Sequence, residues 1–143
     1  MSELEYYVRE LERDGRFGME RAYPHHGDTS VYTHSVHVAK MSLKLSGILP
    51  GEFHRKDLIR GALLHDYYLY NWHNTDEGHR LHGFHHAKTA LKNAKHDYNL
   101  TPIEESIIAH HMFPLNPAPP TCREAWIVCV ADKICAVSEL VKG

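Results

Sequence analysis

A chain of 143 residues with 43% hydrophobic and 24% charged residues can bury a real core and has the balance of a soluble globular protein, read as one domain over residues 1–143. A formal net charge of -2 leaves no basic surplus to bind a nucleic-acid polymer. No stretch approaches the roughly 20 apolar residues of a membrane span, so no membrane partner is expected.

The N-terminus MSELEYYVREL is amphipathic and acidic, unlike a signal peptide. Cys122, Cys129 and Cys135 lack C-x-x-C spacing and suit a reducing compartment as small buried hydrophobes, so a cytoplasmic location is expected. Histidine is the anomaly: 14 residues, more than glycine (9) or proline (7), of the side chain that most often binds metal.

Helical spacing recurs along the chain. A first helix is predicted from Ser2 to about Arg13, with Leu4, Val8 and Leu11 on one face and Asp14-Gly15 ending it. Asp28, Thr29 or Ser30 caps a second to about Ser46, where Val31, His34, Val38, Met41 and Leu45 share a stripe and Gly47 and Pro50 break the chain. The third runs from about Arg55 to Tyr70, with Leu58, Ala62, His65 and Leu69 in register. Asn71 to Gly83 reads as a polar loop, followed by a fourth helix from His85 to Tyr98. Thr101-Pro102 opens a fifth, closed near Phe113. Thr121 caps the last, from Cys122 to Leu140, with Trp126, Val130 and Ile134 marking an apolar side. The expectation is all-α: a compact bundle of about six helices.

His34 and His65 lie on otherwise apolar helical stripes, Asp66 follows His65 directly, and Asp132 sits within the hydrophobic VCVADKICAV. A lone inward histidine is more often a hydrogen-bonded core residue than a ligand. An ionised carboxylate in a core, however, is costly unless paired or bound to metal, and here two enter together with imidazoles. His86 opens the fourth helix, and His110 and His111 end the fifth. Imidazole and carboxylate groups from several helices are how a bundle holds a metal.

The order His34, His65-Asp66 and Asp132 resembles the H…HD…D signature of the HD superfamily of metal-dependent phosphohydrolases, with THSVHVAKMS, GALLHD and ADK similar to its motifs. HHAKTAL and IIAHHM further resemble the binuclear branch, the first pointing to His86 over His85. The resemblance implies a helical HD bundle in which His34, His65, Asp66 and Asp132 hold one metal. Asp66 then bridges to a second metal held by His86 and His110, with His111 either a further ligand or an outer partner. It also implies catalysis centred on His65 and Asp66, with one or two divalent ions (Fe, Mn, Zn, Ni or Mg) that activate water against a phosphoryl group.

The expected partner is a small phosphorylated molecule, with nucleotides among the candidates and a homo-oligomer left open. His79, Arg80, His82 and Lys133 are the candidate substrate groups. His25, His26, His54 and His96 read as surface residues, and His37 as a packing residue. The glycine and lysine that many relatives carry after HD are replaced by Tyr67-Tyr68-Leu69, and the HD-GYP loop is absent, which argues against cyclic di-GMP. Two alternatives stand beside hydrolysis: a di-iron HD-type oxygenase that cleaves a C–C or C–P bond, and a non-catalytic metal- or nucleotide-binding module.

Overall fold

The computed structural model describes residues 1–26, 29–68 and 78–142, with the backbone alone for residue 26, residues 78–85 and residue 142. Among the described residues six α-helices make up the body: α1 (Glu3–Asp14), α2 (Val31–Ile48), α3 (Arg55–Leu64), α4 (Gly78–Asp97), α5 (Pro102–His110) and α6 (Arg123–Lys142). Between α1 and α2 lie a 3₁₀ turn, Phe17–Ala22, and a two-stranded antiparallel hairpin, β1 (Pro24–His26) with β2 (Thr29–Ser30). No described helix is long and apolar enough to cross a membrane.

Caps set the helix starts. Ser2 and Ser30 accept from the amides of Glu5 and Thr33, and Thr101 with Glu104 forms a reciprocal capping box ahead of Pro102. α3 is the central helix, buried at every position from Leu58 to Leu64. It packs on α2, α5 and α6. At Gly61 an added Cβ would lie 2.5 Å from Ile107 Cδ1, so α3 and α5 approach too closely for any side chain there. Arg60, buried on α3, is neutralised by Glu104 and Glu10, each at 2.8 Å. Pairing is what makes that buried guanidinium tolerable.

The structure departs from the sequence expectation at four places. α2 runs through Gly47 to Ile48. α3 ends at Leu64 rather than Tyr70, and Tyr67 and Tyr68 continue in tight turns through amide bonds to Leu64 and Asp66 carbonyls. Residues 78–83, expected as loop, form the opening turns of α4, since no proline interrupts them; the rest of that segment, 71–77, lies outside the described residues.

The fourth departure is on α6. Trp126, Val130 and Ile134 face outward, 45%, 45% and 40% exposed. The inner face is instead Ala125, Val128, Ala131, Asp132, Cys135 and Glu139: small residues that let α2 approach, and two carboxylates whose partners lie inside. Pairing of the carboxylates outweighs burial of the larger apolar stripe. The three cysteines are free thiols, and burial pushes Cys135 up to about 11.

Candidate metal centre

Helix ends and helix faces deliver the site. His65 is the C-cap of α3 and still has helical backbone angles, and Asp66 opens the turn that follows; both are buried, His65 fully and Asp66 to 1% exposure. His34 comes from the inner face of α2, His86 from α4, His111 from the C-cap of α5, and Asp132 from the inner face of α6.

Among the described residues three groups could hold a metal ion: His34, His65, Asp66 and Asp132; Asp66, His86 and His111; and His25, His34 and Glu139. Asp66 belongs to the first two, and its two oxygens face different ways. Oδ2 lies 3.3 Å from His65 Nε2 and 3.6 Å from His34 Nε2, whereas Oδ1 lies against His86 Nε2 and 3.2 Å from His111 Nε2. Asp132 Oδ1 completes the first group, 2.8 Å from His34 Nε2 and 3.2 Å from His65 Nε2.

The outer nitrogens decide the tautomers. His65 Nδ1 donates to the Ala62 carbonyl at 2.6 Å, and His111 Nδ1 to the Ile108 carbonyl at 2.9 Å. His34 Nδ1 donates to Glu139 Oε1 at 2.8 Å. With each proton held on Nδ1, a neutral ring presents the Nε2 lone pair to the carboxylates, the arrangement of a metal-binding histidine backed by an outer acceptor. A lone pair facing a carboxylate needs a cation between them, either a proton or a metal ion. Asp66 Oδ2 and His111 Nε2 are buried without a hydrogen-bond partner among the described residues. They lie near other donors but are not aimed at them, as ligand atoms converging on a shared centre would be. The donor set fits a divalent metal.

Electrostatics agree. Burial opposes charge on both carboxylates, yet the surrounding imidazoles hold Asp66 and Asp132 well below the usual carboxylate range. Burial likewise opposes protonation of His34, but hydrogen bonds to Asp132 and Glu139 carry it up to about 9. His65 is also raised, its burial outweighed chiefly by the Asp66 charge. His86 is lowered by burial despite Asp66, which favours the neutral ring. Protons and metal therefore compete for the first group.

Several expectations need correction. His110, expected in the second group, points elsewhere: its Nδ1 is 3.3 Å from Ser106 Oγ, and His111 takes the inward place at the helix end. Lys133, expected to meet substrate, donates to the carbonyls of His111 (3.2 Å) and Cys129 (3.5 Å), bracing the turn that holds His111. His79, Arg80 and His82 fall on α4, but their side chains lie outside the described residues. His25, expected at the surface, is buried at the centre, its Nε2 3.1 Å from Asp66 Oδ2. His37, half-exposed, reaches Glu139 Oε2 at 3.2 Å.

Glu139 and Glu20 were missed altogether. Glu139 had a signal, since it stands seven residues after Asp132, two helical turns along the same face. Glu20 lies in a 3₁₀ turn and had no periodic signal. It is fully buried with both carboxylate oxygens unpartnered among the described residues. Burial and the nearby Asp66 charge raise it well above the usual range.

A family model described as HD domain matches residues 31–137. The chain belongs to the HD domain family. No curated protein and no solved structure matches it. HD domains are generally metal-dependent hydrolases, and His34, His65-Asp66 and Asp132 all fall within the matched segment, as do His86 and His111. His25 and Glu139 lie just outside the HD segment, one on each side, yet both reach its centre.

Proposed function

We propose that this HD domain is a phosphohydrolase with a two-metal site that acts on a small phosphomonoester or phosphodiester, with nucleotides among the candidate substrates. The observation that carries the reading is the division of labour on Asp66: one oxygen faces His34 and His65, and the other faces His86 and His111. A carboxylate has two oxygens to share between two ions, whereas a neutral imidazole has one free lone pair.

When bound, a pair of divalent ions supplies Lewis acidity toward phosphoryl oxygens and lowers the pKa of water to near neutral. The chain's own residues do the remaining work. His65 and His111 are locked in one tautomer by the Ala62 and Ile108 carbonyls, so neither ring reorients as charge develops at the site. Burial of Asp66, His34, His65 and His111 keeps bulk water away and strengthens each electrostatic contact. Tyr68, buried, sets its ring edge-to-face on His86 at 4.7 Å and limits the swing of that imidazole. His79 and His82 precede His86 on α4 at intervals of three and four residues, which supports a role for this helix start in binding phosphate or a leaving group.

Metal analysis of protein purified without chelator, followed by a panel of phosphomonoesters and phosphodiesters, tests the reading. Two equivalents of metal and phosphate release in air-free buffer are expected. Substrate-dependent oxygen uptake by iron-loaded protein, with no phosphate release in the absence of air, would replace hydrolysis with the di-iron oxygenase alternative. Metal binding without turnover on any substrate would favour the non-catalytic module.

A further inference from the structure

The inner face of α6 serves the metal centre, and its outer face is apolar. We propose that this outer face is a self-association surface: two copies of the chain pair their α6 helices antiparallel, across a two-fold axis that passes between Lys133 and Ile134. The inference stands apart from the two-metal reading, since the paired face lies opposite Asp132 and Glu139.

Four observations carry it. First, the apolar side chains that α6 leaves outside form one stripe. Trp126, Val130, Ile134, Val137, Leu140 and Val141 are 40% to 81% exposed. At 100° per residue these positions fall within an arc of about 120°. A soluble chain seldom leaves a contiguous apolar patch of this kind uncovered.

Second, the area suits a dimer. At those exposures the six residues present roughly 600 Å² per copy, so a symmetric pair buries about 1,200 Å², above the about 1,000 Å² at which a specific interface begins. Leu115, also exposed, and Phe113, whose ring meets Trp126 edge-on at 5.6 Å, widen the patch at its Trp126 end.

Third, charge is kept out of the stripe. The carboxylates of α6 all turn inward: Glu124 accepts from the His54 amide, and Asp132 and Glu139 face imidazoles. Lys133, beside the centre of the stripe, is folded back onto the carbonyls of His111 and Cys129. A two-fold axis sets every central group against its own copy, where a free charge would be repelled. Here the ammonium is held off the axis.

Fourth, the spacing survives reversal. Trp126, Val130, Ile134, Val137 and Val141 follow one another at intervals of 4, 4, 3 and 4 residues. Antiparallel pairing therefore sets Trp126 against the partner's Val141, Val130 against the partner's Val137, and the two Ile134 side chains against each other at the axis. The largest side chain meets a small one, and branched side chains meet in the middle. Parallel pairing would set two indoles against each other and align the helix dipoles, whereas antiparallel pairing opposes them. A partner of different sequence would place no such demand on the spacing.

Sedimentation equilibrium of the full chain tests this, with wild type, Val137→Lys and a Val130→Lys, Val137→Lys double variant. Wild type should be dimeric at micromolar concentration. Val137→Lys should weaken the dimer by roughly a hundredfold and the double variant should be monomeric, because each new charge is buried near a second copy of itself. Both should keep the helix and metal content of wild type, since neither position touches the core. Under mild oxidation Ile134→Cys should form a disulfide-linked dimer that a control with Lys92→Cys, exposed on α4, does not. That cross-link decides the register even if a lysine variant loses helix content. A wild type that stays monomeric across the concentration range overturns the inference and leaves the stripe to another partner. A dimer that a folded double variant retains, or a Lys92→Cys chain that cross-links as readily as Ile134→Cys, places the interface elsewhere and overturns it as well.

Discussion

Glu139 accepts a hydrogen bond from His34 Nδ1 at 2.8 Å, while His34 Nε2 faces Asp132 Oδ1 at the same distance. One imidazole is therefore held between two carboxylates of α6 that stand two helical turns apart. The inner carboxylate belongs to the metal group and the outer one fixes the ring that serves it. Hydrogen bonds to His34 and His37 hold Glu139 below its ordinary range in spite of burial, so it stays ionised as an acceptor.

Glu139→Gln keeps an acceptor oxygen but removes the charge. Metal affinity of the first site should fall by roughly 10–100-fold without loss of the fold. Chelator competition on wild type and variant measures it, and equal affinities would show that Glu139 does not support His34.

His110 and His111 are sequence neighbours with opposite fates, which gives a paired test. His111→Ala should lose the second equivalent of metal and keep the first, because Asp66 retains His34, His65 and Asp132 on its other oxygen. His110→Ala, whose ring sits beside Ser106, should keep both. Metal content of the purified variants decides between them; loss of metal from His110→Ala would mean that the end of α5 is turned the other way in solution.

Asp97 ties three elements together. It accepts from Arg16 at 2.8 Å and 3.0 Å and from Tyr67 at 2.5 Å, and Tyr67 in turn accepts from the Arg16 amide at 2.8 Å. Burial alone would raise its pKa, but hydrogen bonds from Arg16, His96 and Tyr67 depress it well below the usual range. A depressed carboxylate stabilises the fold above its unfolded pKa of about 4 and loses that contribution as pH falls through the folded value. Arg16 is half-exposed, so the gain is modest. Asp97→Asn should lower Tm by roughly 3 °C at pH 7, with the gap closing below about pH 4. A gap that persists unchanged at pH 3 would assign the loss to packing instead of charge.

Glu20 should behave in the opposite sense. Its folded pKa is raised, first by burial and then by Asp66, with His65 and Ser35 opposing. A raised carboxylate pKa makes folding progressively less favourable as pH rises above the unfolded value of about 4.3. In chelator-treated protein, the Tm of Glu20→Gln relative to wild type should therefore climb as pH rises from about 4.3 to neutral. A constant difference across that range would mean that Glu20 is ionised in the folded protein.

Much of this was legible in the sequence. The helical class, the start of α2 within Asp28 to Ser30 and the start of α5 at Thr101-Pro102 followed from local rules, because a helix start needs only its own side chains and the next few amides. His34, His65, Asp66, His86 and Asp132 stood out because ionisable groups on apolar stripes demand partners, and the HD motif gave them an order.

What the tertiary structure alone decided were orientations. His111 rather than His110 turns inward because α5 ends at His110, and the next ring can reach back to the Ile108 carbonyl. α6 shows Trp126, Val130 and Ile134 to solvent because Asp132 and Glu139 find imidazoles on the other face, a pairing between residues about a hundred positions apart. His25 joins the centre only because a short hairpin folds over α2. Periodicity registers neighbours within one element, and these choices depend on partners brought together by the closure of the bundle.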